Sequence, residues 1–297
     1  MELFHSPQLQ RSIRAAVMIL LGVAAGFGLG LAYAERPVVG CHQTDLTPVP
    51  DESFLSAPSS LPDSGTAASE PAAEEPEPDK WVCLTFDDGP SKTTAAVLDA
   101  LNSAGVHATF FVVATGYNDK YLPLIARAAA DGHQIALHSA THEYSNIYQS
   151  ITAYWQDLAL LKERIASYVD AASIHYLRFP GGSTNTVSRR YGGKGLMNEL
   201  KADVEEKGYQ WVDWNVCAED AVGGKPSAEQ IYRNVVNETG DQKHCVVLMH
   251  DSAGTRTTAE ALPDIIRWYQ DNGYTFCTVQ QVIPLHQAQL VNQDQTH

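Results

Sequence analysis

Two carboxylates and two histidines are spaced in this sequence as metal ligands are. Asp87 and Asp88 are adjacent in the block TFDDGP, and His138 and His142 are the ends of the block HSATH. Histidines four positions apart on a helical turn would present both imidazoles on one side, where they could hold one metal ion. A carboxylate from Asp87 or Asp88 would complete a set of three ligands with one open position, which is typical of catalytic zinc.

Three further blocks carry residues that could take part in the same chemistry. Arg178 follows an apolar run and would be costly to bury unpaired, so we expect a carboxylate partner, with Asp87 the nearest candidate. The PGG turn at 180–182 exposes backbone N–H groups that could bind an oxyanion. His250 ends another apolar run and is a candidate general acid, with Asp220 able to orient it.

Each of these residues also has an ordinary structural interpretation. An Asp near a helix start can cap the helix, and a lone His can be a hydrogen-bonded core residue. Arg178 could lie on a surface loop, and PGG is a common turn. Their joint position at the ends of predicted strands favours one catalytic site over five unrelated structural roles.

The elements that would position these residues lie between positions 80 and 284. Seven apolar runs predict strands at 81–86, 108–113, 134–138, 175–179, 209–214, 245–250 and 274–279. A helix is predicted from near Thr93 to Gly105. The clearest helical face carries Tyr154, Leu158, Leu161, Ile165 and Tyr168. Strands that alternate with helices predict a parallel α/β sheet, open or closed into a barrel, with its site at the carboxyl ends of the strands.

The first 79 residues predict export of this domain. Residues 15–34 carry no charge and are just long enough to span a bilayer, and Arg11 and Arg14 should keep residues 1–14 in the cytoplasm. We therefore expect a single-pass cell-membrane protein with an extracytoplasmic domain. The alternative is a signal peptide cleaved near Ala34, which would give a secreted protein. Residues 35–79 are rich in Pro, Ser and Glu and predict a disordered linker, and residues 285–297 are a C-terminal tail.

Charge and cysteine content exclude several classes of protein. The net charge of −15 is the opposite of a nucleic-acid-binding footprint, so no nucleic acid partner is expected. The five cysteines form no CxxC pair, which argues against a structural zinc site. Cys83, Cys245 and Cys277 lie in apolar runs and are interpreted as buried free thiols, although one internal disulfide remains open.

The five blocks together closely resemble the motifs of the NodB-type polysaccharide deacetylases, carbohydrate esterase family 4. The resemblance covers roughly residues 80–284, and TFDDGP followed by HSATH about fifty residues later is its most specific part. It implies a distorted (β/α)7 barrel and one divalent metal ion, usually Zn²⁺, with Co²⁺ or Mn²⁺ as alternatives.

The resemblance also implies a role for each motif residue. Asp88, His138 and His142 would be the metal ligands. Asp87 would be the catalytic base and Arg178 would hold it. The backbone amide of Gly181 would bind the oxyanion, and His250 would be the acid, tuned by Asp220.

Two motifs depart from the family pattern, which commonly reads RPPYG in the third and DxxDW in the fourth. Gly181 stands where the third motif has its aromatic residue, and Phe179 stands where it has a proline. Cys217 and Ala221 replace the first Asp and the Trp of the fourth motif. An aromatic wall of the substrate groove is therefore missing unless another residue supplies it, and we expect the pocket for the acetyl methyl group to be wider or built differently.

These observations predict a metal-dependent hydrolase that releases acetate from N-acetylated amino sugars of a polysaccharide. Peptidoglycan, with GlcNAc or MurNAc as the target, is the expected substrate because the domain is exported and tethered. The alternatives are chitin oligosaccharides, O-acetylated xylan, a small-molecule amide, or a catalytically silent carbohydrate-binding module. No nucleotide cofactor is expected.

Overall fold

The apolar runs of the sequence form one parallel sheet in this computed structural model, which describes residues 78–285. The strands are β1 (Trp81–Asp87), β2 (Thr109–Val113), β3 (Gln134–Ser139), β4 (Tyr176–Leu177), β5 (Gln210–Trp211), β6 (Val216–Cys217), β7 (His244–His250) and β8 (Thr275–Phe276). Their order is β5-β4-β3-β2-β1-β7-β6, with β8 paired to the first two residues of β1. The central strands are buried on both faces, as a parallel sheet covered by helices requires.

Helices connect the strands. They are α1 (Thr94–Ala104), α2 (Pro123–Ala130), α3 (Tyr144–Ile147), α4 (Ile151–Ile165), α5 (Ser188–Gly192), α6 (Leu196–Glu206), α7 (Ala228–Thr239), α8 (Arg256–Asp271) and α9 (Val279–Val282). The prediction for α1 is confirmed, since the helix lies between Thr93 and a left-handed Gly105. The predicted apolar face of α4 is confirmed up to Ile165, where the helix ends, so Tyr168 lies beyond it.

The predicted parallel α/β architecture is confirmed, whereas the distorted (β/α)7 barrel needs correction in its number of strands. Within residues 78–285 no pairing joins the two edge strands, β5 and β6, so the sheet is a curled half-barrel of eight strands. The additional strand, β6, has only two residues and is too short to give a hydrophobic period in the sequence. The last predicted strand is shorter than expected, because Val279 begins α9 instead of continuing β8.

The strand register brings the polar blocks together. Asp87 at the end of β1 is the direct partner of His250 at the end of β7. On the other side, Leu137 of β3 pairs with Leu177 of β4, which places His138 beside Arg178. The carboxyl ends of four strands therefore meet at one edge of the sheet, as parallel topology dictates.

The remaining sequence predictions fall partly outside the described residues. The membrane segment at 15–34, the cytoplasmic segment at 1–14, almost all of the linker at 35–79, and residues 286–297 of the tail lie there, so these stay predictions. Among residues 78–285 no helix is long and apolar enough to cross a membrane. The four cysteines in this part of the chain are free thiols, and Cys83, Cys245 and Cys277 are buried as predicted.

Candidate active site

A cavity opens at the carboxyl ends of the strands. It is lined by Asp87, Asp88, His138, His142, Tyr144, Gly181, Trp214, Leu248 and His250. Six of these are residues that the sequence nominated for catalysis or metal binding. The other two nominated residues lie behind the cavity wall, where Arg178 is fully buried and Asp220 is 4% exposed. The structure thus gathers all eight nominated residues around one space.

Asp88, His138 and His142 converge in the way that metal ligands do. The Asp88 Oδ1 atom lies 3.2 Å from His142 Nε2 and 3.5 Å from His138 Nε2. One ligand atom from each of the three residues lies within 4.8 Å of the others. Asp88 Oδ1 is buried and has no hydrogen-bond partner within the described residues, which is what a carboxylate oxygen reserved for a cation shows.

The protonation states of these residues also fit a cation. The Nδ1–H of His138 donates to the carbonyl oxygen of Arg178 at 2.8 Å, so its Nε2 lone pair faces Asp88. Burial lowers the pKa of His138, although the negative charges of Asp87 and Asp88 act to raise it. The lowered pKa favours the neutral imidazole, which is the form that binds metals. Burial acts to raise the pKa of Asp88, but His142 and His138 hold it below its usual value, so this carboxylate is ionised.

The expected helical turn between the two histidines is wrong. His138 belongs to strand β3, whereas His142 lies in the following loop with a left-handed φ of 54°. The imidazoles still lie side by side, with ring centroids 5.2 Å apart, because the loop folds back over the strand end. Asp88 is also left-handed, with a φ of 68°, so two of the three ligands occupy a backbone region that non-glycine residues rarely adopt.

Asp157 of α4 holds this loop in place. Its Oδ2 accepts hydrogen bonds from Ser139 Oγ at 2.7 Å and from the N–H of Ala140 at 2.8 Å. Its Oδ1 accepts from the N–H of Thr141 at 3.0 Å and from Thr141 Oγ1 at 2.7 Å. Ser139 Oγ in turn accepts from the N–H of His142 at 2.8 Å. A buried carboxylate therefore satisfies the donors of the segment that carries both histidines.

Replacing Asp157 should destabilise the fold and weaken metal binding together. In Asp157→Ala, two backbone N–H groups and two hydroxyls lose their acceptor, and we expect unfolding free energy to fall by about 2–3 kcal/mol. Urea unfolding is the measurement, beside the metal content of the folded protein. Asp264→Ala is the control, because Asp264 makes only an exposed pair with Arg267 and should change stability by less than about 0.5 kcal/mol. An unchanged midpoint for Asp157→Ala would contradict this role.

Asp87 is fixed by a fully buried arginine. Arg178 Nη1 donates to Asp87 Oδ1 at 2.9 Å and to Thr85 Oγ1 at 2.8 Å. Its Nε donates to the carbonyl of Val212 at 2.9 Å and its Nη2 to the carbonyl of Asp213 at 3.1 Å. The guanidinium also lies over the Phe111 ring, 4.1 Å from its centroid. Asp87 Oδ2 remains on the cavity side, 3.9 Å from His138 Nε2. One oxygen is thus anchored and the other faces the site.

His250 is paired with a buried carboxylate. Its Nδ1 lies 2.8 Å from Asp220 Oδ1, and its backbone N–H donates to Asp220 Oδ2 at 2.7 Å. Thr258 Oγ1 also donates to Asp220 Oδ2. Burial acts to lower the pKa of His250, but the charge and hydrogen bond of Asp220 outweigh it and raise the pKa to about 10. His250 is therefore an imidazolium near neutral pH and has a proton to give.

The remaining wall of the cavity is formed by residues that the sequence did not nominate. Tyr144 and Trp214 supply aromatic rings and Leu248 supplies an aliphatic side chain. The N–H of Gly181 has no hydrogen-bond partner in the described part of the chain, and its backbone is left-handed with a φ of 78°. The cavity thus combines an apolar side, a free backbone donor, a candidate cation site and two sets of acid–base residues. This combination suits hydrolysis of an acyl group.

Comparison with known proteins identifies the family that carries this arrangement. The family model described as polysaccharide deacetylase matches residues 74–194. The catalytic domain of a peptidoglycan N-acetylglucosamine deacetylase from Eubacterium rectale has 39% sequence identity and a TM-score of 0.66, covering 73% of this chain and 97% of that domain. The chain belongs to the polysaccharide deacetylase family. The predicted resemblance is therefore confirmed, and this polysaccharide deacetylase is an enzyme with the curled half-barrel fold of its relatives.

Two sequence relatives extend this finding. A peptidoglycan-N-acetylglucosamine deacetylase of Bacillus cereus is 33% identical over 66% of this polysaccharide deacetylase and 68% of its own length. The peptidoglycan-N-acetylmuramic acid deacetylase PdaC of Bacillus subtilis is 31% identical over 71% of this chain, which is 41% of its own length. The match to the family model ends at residue 194, so Asp220 and His250 lie beyond it and rest on the geometry described above.

Proposed function

We propose that this deacetylase removes N-acetyl groups from the amino sugars of peptidoglycan with the help of one divalent cation. The observation that carries the proposal is the single cavity shared by a three-ligand cation site, an anchored carboxylate and a protonated histidine. Asp88, His138 and His142 would hold the cation. Two nitrogens and one oxygen with an open position suit Zn²⁺, and Co²⁺ or Mn²⁺ are the alternatives.

Asp87 would act as the base. When bound, the cation supplies Lewis acidity that lowers the pKa of water and polarises the acetyl carbonyl. Arg178 holds Asp87 Oδ1, so Oδ2 is the oxygen free to accept a proton from the attacking water. The N–H of Gly181 would then stabilise the negative charge that develops on the former carbonyl oxygen.

His250 would act as the acid that completes the reaction. An amine is a very poor leaving group unless its nitrogen is protonated as the C–N bond breaks. The imidazolium of His250 would give that proton, and Asp220 keeps the ring oriented and stabilises its charged form. One water molecule is consumed, and the products are acetate and a free amino sugar.

The substrate is proposed from the relatives and from the sequence. Relatives named as peptidoglycan deacetylases act on GlcNAc in one case and on MurNAc in another, and we propose that this chain takes one of these units. The export predicted by residues 15–34, as a membrane anchor or a cleaved signal, would bring the enzyme to the cell wall. O-Acetylated xylan is the second candidate, because a bifunctional xylanase/deacetylase of Pseudobutyrivibrio xylanivorans is 30% identical over 69% of this chain.

Acetate release by the full chain tests this proposal. Peptidoglycan, chitin oligosaccharides and acetylated xylan are supplied in parallel. The treated peptidoglycan is then digested, and the molecular masses of the fragments show whether GlcNAc or MurNAc has lost its acetyl group. We expect acetate from peptidoglycan, loss of activity on chelation, and recovery when Zn²⁺ is added back. Elemental analysis should find one divalent ion per chain. Full activity in a metal-free preparation would refute metal dependence, and acetate from xylan alone would refute the substrate.

A further inference from the structure

The Tyr144 side chain occupies the place beside Gly181 where polysaccharide deacetylases commonly carry an aromatic side chain at this position. A Cβ atom on Gly181 would lie 2.8 Å from Tyr144 Oη and 3.2 Å from Tyr144 Cε1. The positive φ of 78° would also strain any other residue there. The space beside Gly181 is therefore filled by a tyrosine that comes from a different part of the chain.

Neighbouring residues hold the Tyr144 ring in place. The ring meets the His142 imidazole edge to face, with centroids 5.7 Å apart and planes at 87°. On its other side it contacts the ring of Tyr148, whose hydroxyl is anchored to the carbonyl oxygen of Pro180 at 2.7 Å. Tyr144 thus bridges the loop that carries a cation ligand and the turn that carries the free Gly181 amide.

The Tyr144 hydroxyl has no hydrogen-bond partner within residues 78–285. The Tyr144 side chain is only partly buried, and tyrosine hydroxyls that are shielded from water usually have such a partner. Tyr144 and Gly181 line the same cavity, and the Gly181 N–H is likewise unpaired in this part of the chain. Because Cβ and N are both bonded to Cα, the 2.8 Å contact puts the hydroxyl oxygen within roughly 5 Å of the Gly181 nitrogen. Two unpaired donors therefore stand side by side in the cavity.

We propose that the Tyr144 hydroxyl donates a hydrogen bond to the acetyl oxygen of the substrate and, with the Gly181 N–H, stabilises the negative charge that develops on it. The inference rests on the proposed function, since it concerns the oxygen of the acetyl group being removed. Tyr144 keeps its proton throughout and forms no covalent bond. It also supplies the aromatic wall that the glycine at position 181 removes.

Tyr144→Phe tests the hydroxyl alone, because the ring and its contacts remain. We expect kcat for acetate release to fall by about 10²-fold, the usual effect of losing one oxyanion donor, with little change in KM. Metal content and melting temperature should stay as in the wild type, because the hydroxyl makes no hydrogen bond to another residue in the described part of the chain. Inhibition by acetate should weaken in parallel, since its carboxylate would occupy the same donors. A kcat within twofold of wild type, or a change in KM alone, would overturn the proposal.

Two controls separate this inference from the proposed function. Tyr117→Phe removes an equivalent hydroxyl from a ring that is 89% exposed, and it should leave kcat unchanged. If the wild type released no acetate from any N-acetylated polymer, the proposed function would fail. The comparison of Tyr144→Phe with wild type would then be made with 4-nitrophenyl acetate, because hydrolysis of this ester develops the same charge on the same oxygen. An equal rate for the two proteins on that ester would overturn the role of Tyr144 independently.

Discussion

Asp87→Asn should keep its metal, while its kcat should fall by about 10²–10⁴-fold with little change in KM. The amide has the shape of the carboxylate and can still accept from Arg178 through its one oxygen. It cannot take a proton from water, because the group that faces the cavity is no longer basic. The three ligand side chains are unchanged, and the Asp87 carboxylate lies 3.9 Å from the nearest imidazole nitrogen, His138 Nε2.

Asp88→Ala should fail differently, although the residue is adjacent in sequence. It removes the carboxylate that lies within 3.5 Å of both imidazoles, so affinity for the cation should fall along with the rate. Metal content measured beside kcat separates the two variants. If Asp87→Asn lost the metal and Asp88→Ala kept it, the two roles would be reversed. If both kept metal and a near-normal rate, this pair would not be the catalytic centre.

A variant of Arg178 would not separate catalysis from stability in the way that the Asp87 and Asp88 variants do. From the sequence, Arg178→Ala should resemble a mild form of the Asp87 defect. The structure adds that this fully buried guanidinium also bonds Thr85 and two backbone carbonyls. Its removal would leave a buried carboxylate unpaired, which is typically destabilising by about 3–5 kcal/mol. Loss of activity in that variant would therefore mix misfolding with chemistry.

The residues nominated from the sequence lie together in the structure because each polar block stands at the end of an apolar strand. Parallel strands bring their carboxyl ends to one edge, so Asp87, His138, Arg178 and His250 had to meet there once the sheet formed. Short motifs of contiguous residues therefore indicate which side chains meet at this edge of the sheet. The register of β1 with β7, which pairs Asp87 with His250, follows from the same topology.

The residues that the sequence did not reveal act across elements far apart in the chain. Asp157 lies within the helix α4, among the buried residues of its apolar face. A polar residue at such a position was the only feature of the sequence that could have indicated its role. Tyr144 lies two residues after His142, yet its contact with Gly181 spans 37 positions and depends on how two loops pack. Strand β6 was missed because two residues give no periodic pattern.

The pH dependence of kcat in an Asp220 variant tests whether His250 is the acid. Its charge and hydrogen bond raise the pKa of His250 to about 10, so the imidazolium persists through neutral pH. Asp220→Asn keeps the shape and removes the charge, which lowers the pKa of His250. The proton is then lost at lower pH, so the alkaline limb of the kcat profile should move to lower pH. An unmoved alkaline limb would mean that His250 does not set it.

The loss of kcat/KM in His250→Ala should depend on the leaving group of the substrate, and this dependence tests the role of His250 as the acid most directly. On an N-acetylated sugar the departing nitrogen needs a proton, so we expect kcat/KM to fall by about 10²–10⁴. On 4-nitrophenyl acetate the departing nitrophenolate needs none, so the same variant should lose far less. Asp87→Asn is the matched control, because water must be activated for both substrates and both rates should fall together. An equal loss on the amide and the ester in His250→Ala would show that His250 serves attack or binding instead of departure, and the acid would then have to be sought elsewhere in the cavity.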